Sequence, residues 1–486
     1  MRKKGSLFQL IKSLSQTEKR YFRIYCNSQQ ESSNHLKLFD AIDKQEYFND
    51  EEIKEQFKGA AFVNQLHVTK NYLQNLILKS LRNYHAKISK DAEIRNLIAD
   101  AEILLNKELF DQCHYVLMRA EKMALRFENF VGLVEVYEYQ RRLYTNKYGA
   151  SSPLFKEIIK KQLAIIEELK VINKYWELIA RVSGFEFHQN NEVLLQDDPW
   201  IKQTDSGSSL QAKALRYHVL YSDGLLNYQG ASAEKYINQL IDLLEQHPDR
   251  IKNEPGLYVN ALSNKIPILL HDKRWEEAFP ILELIRKLPA TYGISGNNKF
   301  SIRTKCRSYN LELEIYRDKK DVGRGIKLVK EVEQFMEKYE RAIPEDYHLL
   351  FWNQFAHLYF LDKQYSSALV WVNKMIDIKT DTWNELVGYA RILHLMLHFE
   401  LGNMMFIRYA IDSHRRYFKN QKRMRPFEKS CLMFFTKIVN VTKAEHLSEF
   451  QNFYEQLFNS KEPIATANIL DYVDIKSWVE GKVGSS

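Results

Sequence analysis

The chain has 486 residues, 45% apolar and 27% charged, with a formal net charge of +8. Its 27 Phe and 28 Tyr exclude a disordered chain, because so many rings need burial. Only 17 Gly and 10 Pro exclude an all-β protein, which spends turn residues roughly every 8 to 12 positions, so an all-α chain is predicted.

Arg2, Lys3 and Lys4 open the chain as a signal peptide would, but Gln9, Lys12, Ser13 and Ser15 break the apolar run that should follow. No stretch approaches the roughly 18 uninterrupted apolar residues of a membrane span, so no membrane partner and a cytoplasmic location are expected. Ser15 and Glu18, three residues apart, form a capping box that predicts a helix running through Arg23 or beyond. Leu73, Leu76, Ile77, Ser80 and Leu81 share one face of a second helix, predicted from about Leu66 to His85. Glu51 to Phe57 followed by Val68 to Leu73 has the flavour of a helix-turn-helix, but the link Lys58 to Gln65 is longer than its usual turn of about 3 to 4 residues. Cys26, Cys113, Cys306 and Cys431 lie too far apart for a redox or metal motif and read as reduced thiols inside helices.

Breaks fall at Gly149 to Pro153, at Asp197 to Ser209, at His247 to Asp249 and at Pro289 to Asn298, with helical periodicity resuming after each. Residues 1–90 are expected to form a basic helical N-terminal region. Residues 91–486 are expected to form helical repeats, with a polar loop near 197–209.

The repeats are clearest at Trp352, Phe355, Ala356 and Tyr359, followed by Tyr365, Ala368, Val372 and Met375. This segment resembles a tetratricopeptide repeat, in which small residues, here Ala356 against Ala368, let antiparallel helices approach while large ones fill the gaps. The same register fits Leu97, Ala101 and Leu104 before Phe110, Cys113, Leu117 and Ala120. It fits Leu262, Ile266 and Leu269 before Trp275, Ala278, Leu282 and Ile285, and Tyr309, Leu313 and Tyr316 before Val322, Gly325, Val329 and Val332. A weaker copy has Leu395 and His398 before Gly402 and Ile407. Positions 278, 325, 368 and 407 are 47, 43 and 39 apart, longer than the standard repeat of about 34. The resemblance therefore implies an irregular tetratricopeptide-like α-solenoid, a right-handed superhelix of antiparallel helix pairs. Leu10 to Phe22 looks like the opening of a family of uncharacterised bacterial helical-repeat proteins, which implies no activity.

Charge is uneven. Residues 1–90 carry 16 Lys and Arg against 9 Asp and Glu, a net of +7, and Gln56 to Lys90 contains six cations with no carboxylate. Lys70, Lys79 and Arg82 are the expected partner contacts there. A second cluster, Arg415 to Lys429, holds seven cations against one carboxylate with three interleaved aromatic residues. In it Arg415, Arg416, Lys419, Lys422, Arg423 and Arg425 are candidate phosphate contacts, with Tyr417 or Phe418 as a stacking surface. Phe418, at helical spacing from His414 and Ile411, is expected to be core instead.

No phosphate loop, dinucleotide turn, nucleophile elbow or calcium loop occurs. His394 and His398 have the spacing of two metal ligands, but no third ligand is identifiable in the sequence. No catalytic residue, cofactor or metal is expected. The sequence thus predicts a non-enzymatic scaffold or adaptor that binds a protein or peptide along a superhelical groove. The alternative is a nucleic-acid-associated regulator that contacts phosphate through its basic N-terminal region and the 415–429 cluster.

Overall fold

The computed structural model describes residues 5–28, 33–86, 89–183, 198–202, 209–226, 230–294, 296, 298–340, 342–378, 384–420, 424–459 and 473–484. Among them every regular element is a helix and no strand occurs. No described helix is long and apolar enough to cross a membrane. The chain divides into two compact units, Met1–Tyr258 and Val259–Ser486.

The first unit begins with α1 (Ser6–Ser13), α2 (Gln16–Ser28), α3 (Ser33–Lys44), α4 (Asp50–Gln56) and α5 (Leu66–His85). The expected capping box starts α2: the Ser15 amide donates to the Glu18 carboxylate at 2.7 Å, and the Glu18 amide donates to the Ser15 hydroxyl at 3.3 Å. The predicted face of α5 turns inward, where Leu73, Leu76 and Ile77 meet Ile11, Phe22, Cys26 and Phe39 in one core. Each such buried side chain contributes about 1.5–3 kcal/mol, which the short helices could not supply alone. Residues 57–65 between α4 and α5 include a short 3₁₀ turn, Ala61–Gln65.

The unit continues with α6 (Lys90–Asn106), α7 (Phe110–Arg126), α8 (Phe130–Tyr148), α9 (Pro153–Ser183), α10 (Pro199–Lys202), α11 (Leu210–Leu226), α12 (Gly230–Glu245) and α13 (Pro248–Asn253). α6 to α8 each pack on the next helix, α9 packs on α11, α11 on α12 and α12 on α13, and α6 also reaches α8. Their shared core includes Ala101, Cys113, Leu117, Ala120, Leu133, Tyr175 and Ala212. Of the polar break at 197–209, residues 197 and 203–208 lie outside the described residues.

The second unit takes in the greater part of α14 (Pro255–His271), then α15 (Trp275–Thr291), α16 (Lys299–Asp318), α17 (Val322–Tyr339), α18 (Glu345–Leu361), α19 (Tyr365–Asp377), α20 (Asn384–Glu400) and α21 (Met404–Asn420). It closes with α22 (Pro426–Ile438), α23 (His446–Tyr454) and α24 (Ile475–Val483). Here too neighbours in sequence pack together, and α16 also packs on α18. One core gathers Cys306, Tyr309, Leu313, Phe351 and Phe355, and a second gathers Ala368, Leu393, Ile407, Phe418, Cys431 and Phe435. The break expected at Pro289 begins too early, because Pro289 is buried in the last turns of α15 and the helix runs to Thr291.

One turn recurs. Residues 107–109, 127–129, 272–274, 319–321, 362–364 and 401–403 each join two helices through three residues. In each, the middle residue is left-handed: Glu108, Glu128, Lys273, Lys320, Lys363 and Gly402, with φ between 52° and 73°. The next amide reaches back to a carbonyl five residues earlier, as in Leu109 to Leu104 at 3.0 Å and Gln364 to Tyr359 at 2.9 Å. This is the Schellman closure, which satisfies the orphan carbonyls of the first helix. So tight a link keeps the second helix close to the first, as in α6 with α7 and α18 with α19. It brings the fourth residue of the following helix, among them Cys113, Ala278, Gly325, Ala368 and Ile407, fully into the core at 0% exposure wherever it has a side chain.

Candidate functional site

Of the N-terminal cations, Lys70 is turned to structural use. Its ammonium donates to both Asp50 carboxylate oxygens, at 2.6 and 2.8 Å, and sits 5.2 Å from the centre of the Phe48 ring. Asp50 lies just outside the carboxylate-free segment, so the segment's composition concealed the pairing. Lys79 and Arg82 lie on adjacent turns of α5, exposed and without an ion pair among the described residues.

The 415–429 cluster divides in the same way. Arg415 pairs with Asp412 at 3.5 Å and donates to the Thr436 hydroxyl at 3.3 Å. Arg416 and Lys419 are exposed and make no ion pair among the described residues, while Lys422 and Arg423 lie outside them. Arg425 pairs with Glu385 and also donates to the Tyr389 hydroxyl at 3.4 Å. The aromatic residues serve the fold: Phe418 and Phe427 are buried, and the Arg391 guanidinium lies 4.0 Å over the Tyr417 ring. Phe418 therefore takes its expected core place, Phe427 is buried with it, and Arg391 occupies one face of the half-buried Tyr417 ring.

His394 and His398 do acquire a third histidine, from the neighbouring helix. His394 Nδ1 lies 3.3 Å from His414 Nε2, His414 Nδ1 accepts from Arg391 at 3.1 Å, and the His394 and His398 ring centres are 4.6 Å apart. Burial, with the neighbouring Arg391 charge, pushes both His394 and His414 down to about 3. Among the described residues, no group of three or more His, Cys, Asp or Glu is arranged to hold a metal. The three rings form a neutral, hydrogen-bonded core layer.

A different site emerges in the first unit. α7 buries Cys113, Leu117, Ala120 and Ala124, which places Arg119, Lys122 and Arg126 on its outer face. The short α13, started by Pro248, docks beside it: Arg126 pairs with Asp249, the Arg250 guanidinium donates to the Phe127 carbonyl, and Ile251 is buried. Between them lies a cleft of about 500 Å³. Lys90, Arg119, Lys122 and Lys252 stand around it, with Met123 and Phe127 as its apolar lining.

Two of its cations are compensated, Lys90 by Glu93 at 2.9 Å and Arg126 by Asp249. The Arg126 hydrogen bond and charge, with a smaller effect from Lys252, hold the Asp249 carboxyl below its ordinary range. Arg119 and Lys122 are exposed and form no ion pair among the described residues. Arg119, Lys122 and Arg126 are spaced three and four apart, so they repel one another along the helix, a loss of a few tenths of a kcal/mol per pair. The arrangement is suited to an anion. It presents no nucleophile beside a free base.

No family model, curated protein or solved structure matches the chain.

Proposed function

We propose that the chain is a non-enzymatic scaffold or adaptor whose tetratricopeptide-like helix pairs, stacked as an irregular solenoid, bind a protein or peptide. The observation that carries this reading is the repeated three-residue Schellman turn, followed each time by a helix that buries its fourth position. Repetition of one supersecondary unit, each packed chiefly on its sequence neighbours, is how helical-repeat proteins build long surfaces for partners. The exposed Tyr115, Met118, Leu125 and Val131 add apolar area of the kind that partner surfaces use.

Affinity capture on the full chain, with and without nuclease and followed by cross-linking, tests this. A protein that stays bound after nuclease and cross-links to lysines of the helix pairs is the expected result. Loss of all retention on nuclease treatment would transfer the chain to the nucleic-acid reading, for which exposed Lys79, Arg82, Arg416 and Lys419 are the available contacts.

A further inference from the structure

We propose that the cleft between α7 and α13 is the docking site for an acidic peptide segment of a partner protein. The proposal rests on the scaffold reading above and gives it a place and a partner chemistry. Arg119, Lys122 and Lys252 meet the peptide's carboxylates, and Met123 receives an apolar side chain between them.

Charge complementarity is the first argument. The cleft gathers five cations, Lys90, Arg119, Lys122, Arg126 and Lys252, around a single lining carboxylate, Asp249, which Arg126 already holds. Lys90 pairs with Glu93, and the cations left over, Arg119, Lys122 and Lys252, come from two separate helices and converge on one recess. Their mutual repulsion is relieved when carboxylates enter, and guanidinium–carboxylate pairing is geometrically well matched.

The second argument is what continues beyond the recess. Along the same outward face of α7 stand Tyr115, 65% exposed, and Met118, 43% exposed, with Leu125, 50% exposed, on the adjoining edge. A peptide that alternates acidic and apolar side chains matches a surface alternating cations with Met and Tyr, and unbranched Met adapts readily to such partners. A nucleic-acid strand asks for cations spread along a track and rings open for stacking. Here the cations close around one recess, and the Phe127 ring carries the Arg126 guanidinium 5.6 Å from its centre.

The test uses the full chain and a fluorescein-labelled peptide, Asp-Glu-Leu-Asp-Glu-Phe-Glu-Asp, followed by anisotropy. Oligothymidylate is the competitor, and the same peptide with Lys for every acid is the control. The double reversal Arg119→Glu with Lys122→Glu alters exposed positions only, and a melting curve checks that it folds. The expected result is affinity for the acidic peptide that falls about tenfold or more in this variant. Reversing Lys79 and Arg82 to Glu, an equal change of charge elsewhere, is expected to leave it within about twofold.

Equal losses from the two reversals, or no binding of the acidic peptide, would overturn the proposal. So would displacement of the peptide by oligothymidylate at equal or lower concentration. A cross-linked protein partner that binds the double reversal as well as the wild type removes the cleft and leaves the scaffold reading standing. Preference for oligothymidylate over any protein removes both.

Discussion

Gly325 in α17 faces Leu358 in α18 so closely that a Cβ on the glycine would lie 2.6 Å from one Leu358 methyl and 3.3 Å from the other. Leu358 is itself fully buried, so neither helix can yield without disturbing the core around Phe351 and Phe355. Gly325→Ala should therefore destabilise the protein by about 1–3 kcal/mol, read from urea denaturation. Ala368→Trp should cost at least as much at the corresponding crossing of α18 and α19. An unchanged midpoint in either variant would show that these helices do not cross at those positions.

The recurrent turns carry a stored cost. Lys363 and its equivalents occupy a left-handed conformation that glycine adopts freely and other residues do not. Lys363→Gly should raise stability by about 0.5 kcal/mol, the relief of strain being partly offset by the greater freedom of the unfolded chain. Gly402→Ala, at the turn that already has glycine, should lower it by about 1 kcal/mol. Thermal melts of the pair should move in opposite directions.

Acid should loosen the layer formed by His394, His398 and His414. The relevant neighbours are Arg391 on α20, Tyr417 and Phe406 on α21, Asn403 in the turn, and Asp377, whose charge is felt by Arg391. An unfolded histidine titrates near about 6.5, whereas His394 and His414 in the fold are depressed to about 3. Below about 6.5 the unfolded state takes up protons that the folded state refuses. Stability from this source is thus complete above about pH 6.5 and falls as pH drops toward about 3, by at most about 1.4 kcal/mol per pH unit for each ring. Denaturation midpoints measured across that range should slope less steeply in His414→Gln than in the wild type. Equal slopes would mean that His414 is protonated in the fold.

Lys70 should matter for folding and not for partner binding. Removing it in Lys70→Ala leaves Asp50 unpaired and Phe48 uncovered. The loss should be about 1 kcal/mol, kept small because Asp50 is 38% exposed. Affinity for the acidic peptide or for polynucleotide should not change. A stable variant with reduced affinity would restore Lys70 as a contact.

Strong periodicity made several elements readable. α5 begins and ends at Leu66 and His85, and the Ser15–Glu18 box opens α2, because local spacing and capping chemistry decide both. The burial of Ala278, Gly325 and Ala368 was readable for a similar reason, and at Gly325 a Cβ would press on Leu358. The cleft was hidden. Lys90, Arg119 and Lys252 are far apart in sequence and meet because α6 packs on α7 and α13 docks beside it. Within α7, Glu121 interleaves a carboxylate among the cations and makes the local charge look ordinary. In the fold it points the other way, buried against Tyr137 and Gln140 at 3.3 and 2.8 Å. The third place of His414 beside His394 and His398 was not legible, because it reaches them across a helix–helix contact.

Four core clusters among the described residues contain one cysteine each: Cys26 among the first helices, Cys113 beside α6 and α8, Cys306 with α17 and α18, and Cys431 at the far end of the chain. All four are buried free thiols, and burial pushes Cys113 up, Cys306 up to about 12 and Cys431 well above the ordinary thiol range, so none is a ready nucleophile while its core stays closed. Each of these four cores thus carries its own clock. The rate at which each thiol is alkylated, followed peptide by peptide in one sample, reports how often its own core opens. Partner binding that steadies a single cluster would slow one clock and leave the other three running.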